Sequence, residues 1–198
     1  MLTMAQLLEP LALVRTDEVV VTTMSSVRPW GRLSRHPLDF ASADSAMGHA
    51  ADLALGVALA RPERRTICIN GDGSMLMCLG TLATAVEVAA RNFVLIVADN
   101  GVYEITGHQG VPAAGRVDYA ALAEASGFRN VFTFEDPRSW AEAAEEVVRA
   151  PGPTLVHAFV EPGTQGPIGR SASEPAEYLQ YSLADWSRRL RESVTGRV

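Results

Sequence analysis

Short apolar runs alternate along the chain with longer stretches in which apolar residues recur at helical spacing. Five runs have the length of buried strands, at residues 19–23, 67–70, 93–98, 130–134 and 154–160, and a weaker sixth covers 38–41. Helical patterns lie around them, at residues 4–14, 46–60, 76–90, 119–125 and 139–149. This alternation is typical of a parallel sheet covered by helices on both faces. It predicts an α/β fold, a doubly wound and mostly parallel sheet of five or six strands.

Breaker residues and chain length set the expected domain organisation. Pro10 should bend or interrupt the first helix. Residues 161–174 are rich in Gly, Pro and Ser, which predicts a mobile loop, and residues 175–192 have the pattern of a closing helix. A chain of 198 residues with 47% hydrophobic content can bury one sizeable core. We expect a single domain over residues 1–198, with its core at about 19–160 and a C-terminal loop and helix at 161–198.

Charge and cysteine content narrow the class of protein. Asp and Glu outnumber Lys and Arg by 23 to 17, a net charge of −6, which argues against nucleic acid or an anionic membrane as the main partner. No apolar run reaches the roughly 18–20 residues of a membrane span, and the amino terminus lacks a signal-peptide pattern. The two cysteines, Cys68 and Cys78, form neither a disulfide framework nor a CxxC site. We expect a cytoplasmic protein whose partner is a small molecule or another protein.

A glycine-rich junction follows the second buried strand directly. Gly71, Asp72, Gly73 and Ser74 form it, and a helical pattern comes after them. Ligands of open parallel sheets bind beyond the carboxyl ends of the strands, so this junction is a candidate site. It lacks the third glycine of a dinucleotide fingerprint and the lysine of a P-loop. The carboxylate between two glycines favours a hard cation such as Mg²⁺ held with substrate phosphates, although a tight turn would use the same residues.

The next strand ends in a second polar cluster. Asp99 and Asn100 follow it, and Asn100 lies 28 positions after Asp72. Adjacent strand ends would present Asp72 and Asn100 to one ion. The pair resembles the signature of the thiamine diphosphate (thiamine pyrophosphate) enzymes, which is Gly-Asp-Gly, just under thirty residues, then Asn. The Met-Gly-His sequence at 47–49, before an Ala-rich helix, is similar to the same family's cofactor segment, and the resemblance covers about residues 19–160.

The resemblance implies binding roles for a defined set of residues. Asp72, Asn100 and the main-chain carbonyl of Val102 would hold Mg²⁺, which bridges them to the diphosphate of the cofactor. Met47 matches the apolar residue that keeps the cofactor folded. One departure is Met24, which stands where related decarboxylases often have glycine. The other implied cofactor-binding positions are Ser25, Ser26, Ser45, Ala46, Gly48, Gly71, Gly73, Ser74 and Tyr103.

The activating glutamate of this family lies on a separate pyrimidine-binding domain. Only 18 residues precede the first strand, so we expect the chain to be a fragment or, by preference, one subunit of a hetero-oligomer whose partner supplies that glutamate. Without the partner it should be inactive. The run at residues 99–109 resembles the sulfopyruvate decarboxylase beta subunit and phosphonopyruvate decarboxylase, which decarboxylate a small 2-oxo acid. The implied catalytic candidates are His108, His49 and Gln109, which can donate hydrogen bonds or protons near the reacting carbon.

Other residues that could carry chemistry are assigned no part in the reaction. We expect Glu104 to face solvent and His157 to be structural. Cys68 and Cys78 should be inert core residues, since apolar neighbours flank both of them.

The leading hypothesis is therefore the beta-type subunit of a thiamine diphosphate- and Mg²⁺-dependent decarboxylase, a lyase. An acetolactate synthase-like carboligase subunit would keep the cofactor and change the reaction. Two hypotheses come from other classes: a noncatalytic protein that retains the cofactor domain, and a flavodoxin-like or other nucleotide-binding module. The paired Asp72 and Asn100 favour the enzyme over both.

Overall fold

The computed structural model of the protein describes residues 1–42, 47–164 and 181–196. Its strands, in chain order, are β1 Val19–Thr23, β2 Asp39–Ser42, β3 Thr66–Gly71, β4 Phe93–Asp99, β5 Val102–Tyr103, β6 Gln109–Gly110, β7 Asn130–Phe134 and β8 Thr154–Phe159. Six of them form one parallel sheet in the order β2-β1-β3-β4-β8-β7, and β5 and β6 form an antiparallel hairpin. The predicted parallel sheet is confirmed, and the weak run at 38–41 is its edge strand β2.

Helices cover both faces of this sheet. They are α1 Met4–Val14, α2 Val27–Leu33, α3 Ala50–Ala60, α4 Asp72–Leu76, α5 Gly80–Glu87, α6 Tyr119–Ser126, α7 Pro137–Arg149 and α8 Leu183–Thr195. Successive strand residues point to opposite faces. Val21 accordingly packs in a buried cluster with Leu55 of α3 and Leu82 of α5. Its neighbour Val20 packs in a second cluster with α1 and α7, which confirms the doubly wound arrangement.

The helices α1 and α7 lie together on one face. The fully buried Trp140 of α7 donates its indole N–H to the carbonyl of Leu7, at 2.8 Å. Pro10 lies within α1 and does not interrupt it, contrary to one of the two predicted outcomes. The side chain of Asp136 caps α7, so this helix begins at Pro137, two residues before its predicted start. Proline is well suited to the first helical position, because no partner is available there for an amide hydrogen.

Residues 76–90 do not form the single helix that their spacing predicts. A short helix, α4, already begins at Asp72 and ends at Leu76, and α5 follows from Gly80. Between the two helices the backbone tightens into three-residue turns, in which the amide of Met77 bonds the carbonyl of Ser74. The glycine-rich junction is therefore the first turn of a helix at the carboxyl end of β3.

The C-terminal part of the chain is described only in part. Residues 161–164 have no regular structure, as predicted, while residues 165–180 lie outside the described ranges. The closing helix begins at Leu183, later than the predicted residue 175. Among the described residues, no helix has both the length and the apolar character needed to cross a bilayer.

Candidate functional site

The carboxyl ends of β1, β3 and β4 meet at one edge of the sheet. After β1 the chain forms β2, on one side of β1, and it then crosses over to form β3 on the other side. This change of direction leaves a crevice beyond the carboxyl ends of the strands. β1 leads into the turn Met24–Ser26, β3 leads into α4, and β4 leads into the β5–β6 hairpin. The fold thus places the two polar clusters of the sequence side by side.

Asp72 connects these two strand ends. Its side chain is buried, and one carboxylate oxygen accepts a hydrogen bond from the backbone N–H of Gly101, at 2.9 Å. The hydroxyl of Tyr119 donates to its main-chain carbonyl at 3.0 Å. The carboxylate therefore has a fixed position between β3 and β4.

The carboxylate of Asp72 lies close to a second carboxylate, that of Asp99. The pKa of Asp72 is raised to about 7, first by burial and then by the neighbouring Asp99 carboxylate, and hydrogen bonds from the amides of Gly73 and Gly101 act in the opposite direction. Asp99 is itself buried and lies 3.0 Å from Nε2 of His157. A divalent cation beside Asp72 would favour its ionised form, since a bound ion is commonly the largest charge in such a site.

Asn100 and Val102 provide two further oxygen atoms. The side-chain oxygen of Asn100 accepts from the N–H of Val102 at 3.1 Å. The carbonyls of Gly101 and Tyr103 accept hydrogen bonds from the other side of the hairpin. Backbone groups of successive residues in a strand point to opposite edges. The carbonyl of Val102 therefore points away from the partner strand of the hairpin, on the same edge as the Val102 N–H that bonds to Asn100.

These three oxygens suit Mg²⁺, which prefers hard oxygen ligands and keeps positions for water or phosphate. No group of three or more His, Cys, Asp or Glu residues capable of holding a metal ion occurs in the described part of the chain. The ligand set that the resemblance implies is of another kind, with one carboxylate, one amide and one main-chain carbonyl. The donor chemistry at this edge therefore fits a Mg²⁺ ion that is completed by a phosphate-bearing ligand.

A narrow cleft with a volume of about 40 Å³ lies beside these oxygens. Nine of the residues implied by the resemblance line it: Ser25, Met47, Gly71, Asp72, Gly73, Ser74, Asn100, Val102 and Tyr103. Gly73 is required there, because a Cβ at this position would overlap the ring of Tyr103. A larger cavity of about 180 Å³ lies between α2, β2 and α8, and none of the predicted site residues lines it.

The segment at Met47 and Gly48 is anchored to α4. The N–H of Gly48 donates to the hydroxyl oxygen of Ser74 at 2.9 Å. Gly48 has a φ of +96°, and a Cβ there would lie 2.9 Å from Cβ of Met77. Only glycine meets both conditions without strain. The predicted contacts at Ser45 and Ala46 lie outside the described residues.

The turn after β1 presents one of its two serines to the cleft. Ser25 lines the cleft, whereas Ser26 is buried outside it, with its hydroxyl bonded to the carbonyl of Thr23 at 2.8 Å. Met24, where related decarboxylases often have glycine, has a φ of +50° and also lines the cleft. The left-handed backbone at this position explains why glycine suits it.

The three catalytic candidates do not line the cleft. His49 is exposed beside Asp52, at 3.1 Å. His108 is exposed in the hairpin and its Nε2 lies 2.8 Å from the carbonyl of Gly163. Gln109 bonds the backbone and side chain of Thr106. The structure therefore brings nine of the predicted binding residues together and leaves the predicted catalytic residues outside the cleft.

Sequence reasoning missed the burial of Glu104 and the contact of the structural His157 with Asp99. Glu104 was expected in solvent but is only 5% exposed and accepts a hydrogen bond from Nδ2 of Asn100 at 3.1 Å. His157 is buried against Asp99, two positions before the end of β8. Its place on the strand adjacent to β4 was the available signal, since neighbouring parallel strands align their carboxyl ends.

Comparison with known proteins identifies the family. Residues 24–158 match the family described as thiamine pyrophosphate enzyme, C-terminal TPP binding domain. The chain is 39% identical over 183 residues to a phosphonopyruvate decarboxylase of Streptomyces viridochromogenes, covering 92% of this chain and 43% of that protein. It is also 39% identical over 117 residues to a sulfopyruvate decarboxylase subunit beta of Methanothermobacter thermautotrophicus, covering 59% of this chain and 60% of that protein.

A solved structure shares the fold. A thiamine diphosphate-dependent 4-hydroxybenzoylformate decarboxylase of Rhodococcus jostii superposes with a TM-score of 0.68 at 23% identity, over 82% of this chain and 33% of that one. The chain thus spans less than two thirds of each of these proteins. The family match covers more than half of the chain, including both polar clusters and the strands β3 and β4 that position them, so the chain belongs to the thiamine pyrophosphate enzymes through their C-terminal cofactor-binding domain.

Proposed function

We propose that this chain is the beta-type subunit of a thiamine diphosphate- and Mg²⁺-dependent decarboxylase that acts on a small 2-oxo acid of the sulfopyruvate or phosphonopyruvate type. The observation that carries the proposal is that Asp72, Asn100 and Val102 line one cleft beyond the ends of β3 and β4. The activities for which the two relatives at 39% identity are named support the substrate class.

The residues of this chain would bind and orient the cofactor. Asp72, Asn100 and the carbonyl of Val102 would hold Mg²⁺, and the glycines at 71 and 73 would let a diphosphate approach the backbone closely. The hydroxyl of Ser74 accepts from Gly48 and keeps its own proton for donation to a phosphate oxygen. When bound, thiamine diphosphate supplies the nucleophilic carbon and the electron sink that decarboxylation needs.

Substrate contacts would come from the hairpin. We assign His108 and Gln109 to proton donation or hydrogen bonding near the reacting carbon, because the β5–β6 hairpin places them beside the cleft residues Tyr103 and Thr106. When substrate binds, the hydrogen bonds that His108 forms with Gly163 and Gln109 forms with Thr106 would be replaced by contacts with the substrate. His49, whose side chain is 71% exposed, would act only where a partner covers it.

A pyrimidine-binding partner subunit would supply the activating glutamate. The family match of this chain is to the C-terminal cofactor-binding domain, and its relative from Methanothermobacter thermautotrophicus carries a subunit name. On this proposal the chain alone binds the cofactor weakly and turns over slowly. Assembly with the partner completes the site.

The proposal is tested by calorimetric titration of thiamine diphosphate with and without Mg²⁺. The titration is run on the chain alone and with the product of an adjacent gene that encodes a pyrimidine-domain protein. We expect Mg²⁺-dependent binding that tightens with the partner and is lost in Asp72→Asn, followed by CO₂ release from sulfopyruvate or phosphonopyruvate. Unchanged binding by Asp72→Asn would remove the metal assignment, and CO₂ release that yields a carboligation product in place of the free aldehyde would indicate the synthase-type reaction instead.

A further inference from the structure

Glu104 is a buried carboxylate within the candidate site. It begins the short turn Glu104–Thr106 that follows β5, and 5% of its surface is exposed. Removing a carboxylate from water is costly unless hydrogen bonds or charges compensate it. The partners of Glu104 therefore indicate what this position requires.

One oxygen of Glu104 joins two separate parts of the chain. Oε2 accepts from Nδ2 of Asn100 at 3.1 Å and from the backbone N–H of Gly163 at 3.0 Å. Asn100 directly follows β4, and Gly163 follows β8, the strand beside it. A Cβ on Gly163 would lie 2.9 Å from Oε1 of Glu104, so the close approach depends on glycine.

The bond to Glu104 determines which way the Asn100 amide faces. A side-chain amide carries an acceptor on one side and a donor on the other, and a half-turn exchanges them. Here the nitrogen donates to Glu104, and the oxygen is directed to the edge where the N–H of Val102 lies. A reversed amide would present an NH₂ group to the cation instead of an oxygen.

We propose that Glu104 is a positioning residue: its buried carboxylate fixes the Asn100 amide with the oxygen toward the metal site, and thereby sets the affinity for Mg²⁺ with the cofactor. This inference rests on the proposed function and adds Glu104 to the residues of the proposed cofactor site. Loss of a partner that orients a metal ligand typically lowers metal affinity by about 10- to 100-fold.

A double-mutant cycle tests the coupling. Mg²⁺-dependent binding of thiamine diphosphate is measured by calorimetry for wild type, Glu104→Leu, Asn100→Ala and the double variant, each with the partner subunit. We expect Glu104→Leu to weaken binding by about 10- to 100-fold and to cause no further loss in the Asn100→Ala background. Glu104→Gln keeps an oxygen that can accept both bonds, so it should restore most of the affinity. Glu145→Leu, at an exposed position of α7, is the matched control.

A second variant covers the case in which Glu104→Leu does not fold. Gly163→Ala keeps the carboxylate but crowds it, and it should weaken Mg²⁺-dependent binding in the wild-type background and not in Asn100→Ala. Equal losses in both backgrounds, or no loss, would overturn the role of Glu104 and leave the proposed function intact. Absence of any Mg²⁺-dependent binding by the wild-type complex would overturn both.

Discussion

At the scale of single residues, Asp72 has a protonation equilibrium that links pH to stability. Its folded pKa of about 7 lies above the ordinary value of an aspartate. The folded state therefore binds this proton more tightly than the unfolded state, and the resulting stability is complete below pH of about 4 and is lost as pH rises through about 7. Because of this single group, the free energy of unfolding changes with pH by at most about 1.4 kcal/mol per pH unit.

The corresponding prediction concerns the cofactor-free protein. Urea unfolding between pH 4.5 and 8 should show stability falling with pH in wild type, and this component should disappear in Asp72→Asn. Asp17→Asn, whose side chain is 73% exposed in wild type, should keep the wild-type slope over the same range. Parallel pH profiles for wild type and Asp72→Asn would contradict the prediction.

Met24 allows a second test at the residue scale. Its φ of +50° lies in the left-handed region, which costs residues other than glycine about 1–2 kcal/mol. Met24→Gly should therefore be more stable to urea than Met24→Ala by about 1 kcal/mol. At Glu145, an exposed position within α7, Glu145→Ala should instead be more stable than Glu145→Gly, because glycine is about 1 kcal/mol less favourable than alanine inside a helix. The same order at both positions would argue against a left-handed Met24.

At the scale of elements, a partly buried ion pair connects α1, the start of β1 and α7. Glu18, 1% exposed, accepts from Arg149 at 2.6 Å and from the N–H of Thr16 at 2.6 Å. Arg149 also donates to the carbonyl of Val14, the last residue of α1. Burial raises the pKa of Glu18, but these hydrogen bonds and the Arg149 charge outweigh it, so the pKa is lowered overall.

This pair should therefore stabilise the packing of α1 on α7 only where Glu18 is ionised. Glu18→Gln should lower the free energy of unfolding by about 1.5–3 kcal/mol at neutral pH. A lowered folded pKa gives stability that is present above the ordinary glutamate value and lost as pH falls through the folded value. The difference in the free energy of unfolding between Glu18→Gln and wild type should therefore become smaller below about pH 4.5. Asp17→Asn, in an exposed pair with Arg64, is the control, and an equal loss in both variants would contradict the prediction.

At the scale of the whole molecule, cofactor binding should stabilise the fold. The proposed ligands lie at the ends of β3 and β4, two central strands of the sheet, so their occupation opposes global unfolding. At a ligand concentration 100 times Kd the gain is about 2.7 kcal/mol. For a domain of this size that corresponds to roughly 5–10 °C in Tm.

The measurement is a thermal melt of the complex with thiamine diphosphate and Mg²⁺. The rise in Tm should require both components and should vanish on chelation with EDTA. A rise with the cofactor alone that survives chelation would contradict a metal-bridged diphosphate. Wild type without either component is the reference.

Much of the fold was predictable because parallel strands buried on both faces are continuous apolar runs. The aligned carboxyl ends of such strands also made the meeting of Asp72 with Asn100 predictable. The burial of Glu104 was not predictable, since its partners come from the ends of β4 and β8, which are remote in sequence from each other. The place of Ser26 outside the cleft has a related cause, since its hydroxyl donates to the carbonyl of Ile69, on the adjacent strand β3, at 3.2 Å.

The amino-acid sequence by itself determined the α/β class, the strand positions and the pair of polar clusters, because local hydrophobic spacing and strand-end chemistry depend on residues close together in the chain. Only the tertiary structure decided which polar groups are buried, which hydroxyls remain available and which way the Asn100 amide faces. These properties depend on hydrogen-bond partners and solvent exclusion that arise when separate strands and helices pack together. The same packing gives Asp72 a pKa near 7 at the site that would receive a cation.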